Sequence, residues 1–179
     1  MKKSIFDKRQ IPLYDLALKN EIPNIQWELP NLIYVKRISL DTEGELNIWR
    51  GGKPCGISIC ADNKSWYLPF GHKEGFNFPL DKLQLWAKDN LVNLDIDLAN
   101  AKHDFNSLLS VNIDLEAGNN KLHDVMFCPA LLYSNRQNYD LDSLLQQELG
   151  RSKASVWGGT DYVKLPMAER PSELIAAYA

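Results

Sequence analysis

Residues 38–45 read ISLDTEGE, and the fold turns on how this stretch is read. Ile38 and Leu40 alternate as on a half-buried strand. Side chains two apart on a strand point the same way, so Asp41 and Glu43 share the face opposite to Ile38 and Leu40. Like charges side by side repel and cost stability unless something positive sits between them. Asp41, Thr42, Glu43 and Gly44 are also acceptable turn residues. Acid-x-acid pairs recur at Asp95–Asp97, Asp114–Glu116 and Asp140–Asp142, so the pattern alone leaves open both a turn and half of a metal site.

Outward from this strand the chain alternates between two periods. LIYVKRISL, KPCGISICA and KSWYLPF are β-rich runs separated by turn residues, close enough to pair as an antiparallel meander. Pro79 then opens a stretch in which Leu80, Leu83, Trp86, Ala87 and Leu91 recur at helical spacing. IDLAN (96–100) reads as a short strand, and KHDFNSLLS as a helix with Phe105, Leu108 and Leu109 on one face. KLHDV reads as another strand, with Asp124 placed to cap a helix over VMFCPALLYS that Pro129 bends. LDSLLQQELG is a helix stopped by Gly150, and RPSELIAAYA starts one with Ser172 as cap. The expected fold is α/β, a mixed sheet in which a three-strand antiparallel meander is followed by β-α-β-α units.

The 179 residues suit one domain, 45% of them are apolar, and no apolar run approaches a membrane span. Residues 1–31, with Pro12, Pro23 and Pro30, read as an N-terminal arm bearing a short helix near Leu13–Lys19, and residues 32–179 as the domain proper. MKKSIFDKRQ has no apolar stretch after it, and Cys55, Cys60 and Cys128 form no zinc ribbon. Cys55 and Cys60 are expected to be buried thiols, and the setting cytoplasmic and reducing. With a net charge of −3, any nucleic-acid partner must be held by a local groove or by bound cations.

A second acidic feature follows the fourth strand, Asn100-Ala-Lys-His-Asp104. If strands one and four are neighbours, Asp104 comes beside Asp41. Converging carboxylates without a sequence-adjacent basic partner suit Mg²⁺ or Mn²⁺, which prefer hard oxygen ligands.

The ordered series LDTEG, WYLPFGH, LANAKHDFNSLL and LHDVMFCPALLYSNRQNYDLDSLLQQELG resembles the 3′–5′ exonuclease domain of family A DNA polymerases, phage-type ones in particular. That domain is a ribonuclease H-like member of the DEDD superfamily. The resemblance covers residues from about Leu32 to the last, and it implies metal ligation by Asp41, Glu43 and Asp104. It implies two divalent ions, about 3.5–4 Å apart, astride the scissile phosphodiester. Tyr178 matches the motif tyrosine that orients the attacking water alongside Glu43, and the fourth carboxylate would fall four positions later, beyond Ala179. On this reading the final helix is truncated, with an exposed apolar strip at Leu174 and Ile175 that promotes self-association.

The resemblance further places Thr42, Leu46 and Asn100 against the terminal nucleotide. His103 stands where an aromatic is usual and reads as a packing or substrate-facing variant. Lys102 is offered equally to phosphate and to solvent. His123, Asp124, Asp140 and Asp142 read as scaffold, Trp66, Tyr67 and Phe70–His72 as core and turn, and Trp157 and Tyr162 as cover or packing. The implied substrate is the 3′ end of single-stranded DNA, with a separate polymerase chain as a further partner and no membrane. The competing expectation is a catalytically inactive fold that binds nucleic acid or a replication partner.

Overall fold

The computed structural model describes residues 27–45, 52–132, 135, 138–150 and 166–176. The N-terminal helix, Leu46, Trp157, Tyr162 and Tyr178 lie outside the described residues, as do the side chains of Cys128 and Leu174.

Five strands form one mixed sheet: β1 (Arg37–Gly44), β2 (Pro54–Ala61), β3 (Lys64–Pro69), β4 (Asp95–Leu98) and β5 (Lys121–Asp124), in the order β3-β2-β1-β4-β5. β1 pairs antiparallel with β2, and β2 with β3, as three strands joined by short connections must. β4 pairs parallel with β1, and β5 with β4, each reached through a helical or looped crossover. The expected mixed sheet is therefore present, and strands one and four are neighbours.

The helices are α1 (Leu80–Asn90), α2 (Ala101–Leu109), α3 (Phe127–Leu132), α4 (Leu141–Leu149), a 3-10 helix (Met167–Glu169) and α5 (Ser172–Ala176). Among the described residues no helix is long and apolar enough to cross a membrane. Pro79 stands immediately before α1, where its missing N–H costs nothing. Asp140 caps α4 by accepting from the Ser143 N–H at 2.9 Å, and Gly150 ends it in the left-handed region at φ 65°.

One face of the sheet carries Ile38 and Leu40 of β1, Ile57 and Ile59 of β2, Leu68 of β3 and Ile96 and Leu98 of β4. It packs with Leu83, Trp86 and Ala87 of α1 and Leu108 of α2 into one core. Residues 29–32 run along α1. Trp86 donates its indole N–H to the Pro30 carbonyl at 2.7 Å, and Asn90 Oδ1 accepts from the Leu32 N–H at 2.9 Å.

Four expectations are corrected. Cys60 is exposed while Cys55 is buried: it shares a face with the buried Gly56 and Ser58 but lies past them, opposite the exposed Ser39 of β1. Leu80 and Leu109 are exposed, since both lie at the rims of their helices; α2 buries Asp104, Ser107 and Leu108 instead. Ile175 is fully buried, because α5 docks on β3, so it belongs to no exposed strip. Ser172 does not cap α5. Helix hydrogen bonding there starts from the Pro171 carbonyl, and the buried Ser172 hydroxyl has no partner among the described residues.

Candidate active site at the end of the first strand

β1 outruns its neighbour. It pairs with β4 only as far as Ser39–Asp97, so the edge of β1 beyond that point lacks a strand partner on that side. The N-terminus of α2 fills the gap. Asp104 Oδ1 accepts from the Thr42 N–H at 3.1 Å and from the Thr42 hydroxyl at 2.7 Å. The same N–H also donates to Asp41 Oδ1 at 3.1 Å. One backbone donor thus ties two carboxylates together, and the acids at 41 and 104 meet as expected.

Thr42 is buried and gives both its donors to carboxylates, so neither remains for a nucleotide. It holds Asp104. Glu43 is also buried, and its register partner on β2 is Gly56. A register shift follows between Glu43 and Gly44, a bulge of the kind found beside active sites. Gly44 is required there: a Cβ would lie 2.6 Å from Pro54 Cα and 2.8 Å from the Lys53 carbonyl oxygen.

Asp104 is 1% exposed, and its Oδ2 has no hydrogen-bond partner among the described residues. Burial is the largest cause that pushes its carboxyl up, to about 7. The bonds from Thr42 oppose the rise, while the charges of Asp41 and, more weakly, Glu43 add to it. Glu43 therefore reaches Asp104 through its field. Among the described residues no three His, Cys, Asp or Glu side chains already enclose a cation site. The donor set still fits a hard divalent ion. It is all oxygen, and a buried carboxylate oxygen left without a donor needs a cation or a proton.

Asp124, at the end of β5, fixes the start of α2. Its carboxylate accepts from the N–H groups of Ala101 at 2.9 Å, Asn100 at 3.3 Å and Met126 at 2.9 Å. It therefore caps the preceding helix as well as the turn into α3. Asn100 is exposed, in the left-handed region at φ 67°, and its side chain makes no cap bond. Lys102 is exposed and His103 half-buried on the first turn of the same helix. His123 is apart from the acids and pairs with Asp95 at 3.2 Å.

The acidic face of the sheet is covered by the C-terminal segment. The 3-10 helix lies against β1 and β2, and α5 lies against β3. Three residues read as core or left unassigned turn out to build this cover. The Tyr67 hydroxyl lies 2.5 Å from His72 Nε2, and His72 Nδ1 lies 2.8 Å from the Arg170 carbonyl oxygen. Gly56 inside an otherwise apolar strand was the available signal, because such a glycine marks a close approach. A Cβ there would overlap the Tyr67 ring and hydroxyl.

No protein-family model matches the chain. Over 164 residues it is 32% identical to the DNA polymerase DpoZ of Acinetobacter phage SH-Ab 15497, covering 84% of this chain and 25% of the polymerase. Brucella melitensis NrnC superposes with a TM-score of 0.57 at 18% identity, over 84% of this chain and 68% of that one. The same protein has been solved with bound Mg²⁺ and with bound pGG. The Aedes aegypti Nibbler EXO domain superposes with a TM-score of 0.52 at 12% identity, over 81% of this chain and 74% of that one. In sequence the chain is similar to part of a phage DNA polymerase, and it shares the fold of NrnC and the Nibbler EXO domain. It spans a quarter of the polymerase's length. In this ribonuclease H-like exonuclease fold, β1 is the central strand, and the acids stand at its end, where mixed α/β sheets present their sites.

Proposed function

We propose that the chain is a divalent-metal-dependent 3′–5′ exonuclease module that hydrolyses single-stranded DNA from its 3′ end. The observation that carries this reading is the buried Oδ2 of Asp104, which has no partner among the described residues, beside an Asp41 that shares the Thr42 N–H. The relationship to a DNA polymerase and the likeness to a nuclease solved with Mg²⁺ support it.

Asp41, Glu43 and Asp104 would hold Mg²⁺ or Mn²⁺, as a pair of ions in the complete arrangement. When bound, such ions supply a water of lowered pKa and stabilise the charge developing on the leaving 3′ oxygen. The chain's own side chains do the rest. Glu43, with Tyr178, orients the attacking water toward the phosphorus. By the family resemblance, the exposed Asn100, the half-buried His103 and Leu46 would contact the terminal nucleotide. A strand without pairing partners suits this arrangement, because it is gripped through stacking and backbone rather than base edges. The polymerase relationship makes a polymerase, on this or a separate chain, the natural partner.

The second reading, a fold that binds nucleic acid without cleaving it, is favoured by one observation: the described acids do not yet enclose a cation as they stand. Incubation of a 3′-labelled single strand with Mg²⁺ or Mn²⁺ separates the two. Stepwise shortening from the 3′ end that disappears in Asp41→Ala supports the exonuclease. Identical traces for parent and variant would remove the assignment to this site.

A further inference from the structure

The C-terminal segment is joined to the loop between β3 and α1 by several polar contacts. Lys73 N–H donates to the Ala168 carbonyl at 2.8 Å, Ser172 N–H to the Glu74 carbonyl at 3.3 Å, and Phe76 N–H to Glu173 Oε1 at 3.3 Å. His72 is the buried member of this set, 7% exposed and bonded on both ring nitrogens. A carbonyl oxygen can only accept, so Nδ1 carries the proton toward Arg170. Burial holds the imidazole below its ordinary pKa, so Nε2 is an acceptor and the Tyr67 O–H donates to it. The His72 backbone is locked in turn: Asn77 Oδ1 accepts from its N–H at 2.9 Å, and Asn77 Nδ2 donates to its carbonyl at 3.0 Å.

The other end of this relay stands at the acids. Tyr67 occupies the space left by Gly56, and Gly56 is the register partner of Glu43. The charges of Glu43 and the buried Arg170 both reach the Cys55 thiol, the first raising and the second lowering its pKa. The Glu43 end of β1 and residue 170 therefore share one small region, linked through Tyr67 and His72.

We propose that His72 is a positioning residue: through its Nδ1–H bond to the Arg170 carbonyl, braced by Tyr67, it sets the C-terminal segment against Glu43. It thereby fixes the cover that the 3-10 helix and Arg170 form over the Glu43 end of β1. The inference rests on the exonuclease reading above, and it adds a determinant 98 residues away in sequence from the group it holds.

Two substitutions divide the relay. In His72→Asn the amide nitrogen replaces Nδ1 and keeps the donor to Arg170 while losing Tyr67. In His72→Gln the amide group replaces Nε2 and keeps Tyr67 while losing Arg170. Each is made in the full chain and assayed for kcat and KM on a 3′-labelled single strand with Mn²⁺, and for Mn²⁺ affinity by electron paramagnetic resonance. Thermal melting confirms that each variant is folded, and Tyr67→Phe serves as a third, shape-conserving variant.

Supporting tissue around a metal site commonly governs affinity or activity by 10–100-fold. The expected result is a roughly tenfold lower kcat for His72→Gln with KM unchanged and Mn²⁺ bound about tenfold more weakly. His72→Asn should stay within about threefold of the parent on both measures, with Tyr67→Phe between the two. Equal kcat and equal Mn²⁺ affinity in all folded variants would overturn the positioning role. So would losses in His72→Asn as large as in His72→Gln. A parent that binds no Mn²⁺ would overturn the exonuclease reading and this inference with it, whereas a parent that binds Mn²⁺ without cleaving leaves the affinity series to decide.

Discussion

Asp41 and Asp104 accept from the same backbone N–H, that of Thr42, each at 3.1 Å, although they lie on different elements and far apart in sequence. Two carboxylates drawn to one donor are closer than their charges favour. The arrangement therefore stores repulsion that a cation or a proton relieves. Each of the following consequences comes from that relationship or from the groups that maintain it.

The first concerns pH. Asp104 titrates at about 7 in the folded protein, against an ordinary 3.8. Below 3.8 both folded and unfolded chains are protonated there. Between 3.8 and 7 the folded chain keeps a proton that the unfolded chain has lost, so this group makes stability fall as pH rises through that window. Above 7 the penalty is constant. Asp104→Asn, which keeps an Oδ1 acceptor for Thr42, should be more stable than the metal-free parent at pH 8 by up to about 4 kcal/mol. It should be nearly equal to the parent at pH 4. Urea denaturation at the two pH values, with chelator present, measures both differences.

Thr42 supplies the hydroxyl that opposes the rise of Asp104. Thr42→Val keeps the shape and removes the O–H donor at 2.7 Å. A buried carboxylate deprived of one bond costs about 1–3 kcal/mol. Divalent-ion affinity should fall by roughly 10-fold or more, as for other changes just behind a metal ligand. Thr42→Ser should recover most of the affinity, and calorimetric titration with Mn²⁺ compares the three proteins.

Asp124 holds the first turn of α2, from which Asp104 projects. Asp124→Ala removes a carboxylate acceptor from the Ala101 and Asn100 N–H groups, and Asn100 provides no side-chain cap in its place. The expected loss is about 1 kcal/mol of stability, typical of a helix cap, together with weaker Mn²⁺ binding. Hydrogen exchange should show the loss concentrated at residues 101–104.

Gly56 tests the packing between Glu43 and Tyr67. A Cβ at this position would collide with the Tyr67 ring, whose hydroxyl is already committed to His72. Gly56→Ala should destabilise the protein by about 1–3 kcal/mol, as overpacking in a filled interior does. Gly56→Ala in the Tyr67→Ala background should cost far less, and that double-mutant cycle, followed by urea denaturation, locates the clash.

The parts of this protein legible in the sequence are those written in local period. Alternation at Ile38 and Leu40 set the parity of β1, the switch at Pro79 marked α1, and the Asn100–Asp104 step put an acid one turn into a helix beside the acid pair. The Tyr67–His72–Arg170 relay was not legible, because its last bond spans 98 residues and leaves no periodic trace. Only Gly56, a gap in an apolar strand, hinted at it. Leu109 and Ile175 were misplaced for a similar reason. A helical repeat says which residues share a face, but the amount of that face which is covered depends on what docks from elsewhere. The burial of Ile175 depends on β3, and the exposure of Leu109 on where α2 ends.

The most direct measurement is Mn²⁺ binding at pH 7.5 by electron paramagnetic resonance, comparing the full chain with Asp104→Asn. The parent should bind the ion saturably, and the variant, in which Oδ2 is replaced by an amide nitrogen, should bind it at least about tenfold more weakly. Indistinguishable titrations for the two proteins, or no binding to the parent, would contradict the assignment of Asp41, Glu43 and Asp104 as a cation site.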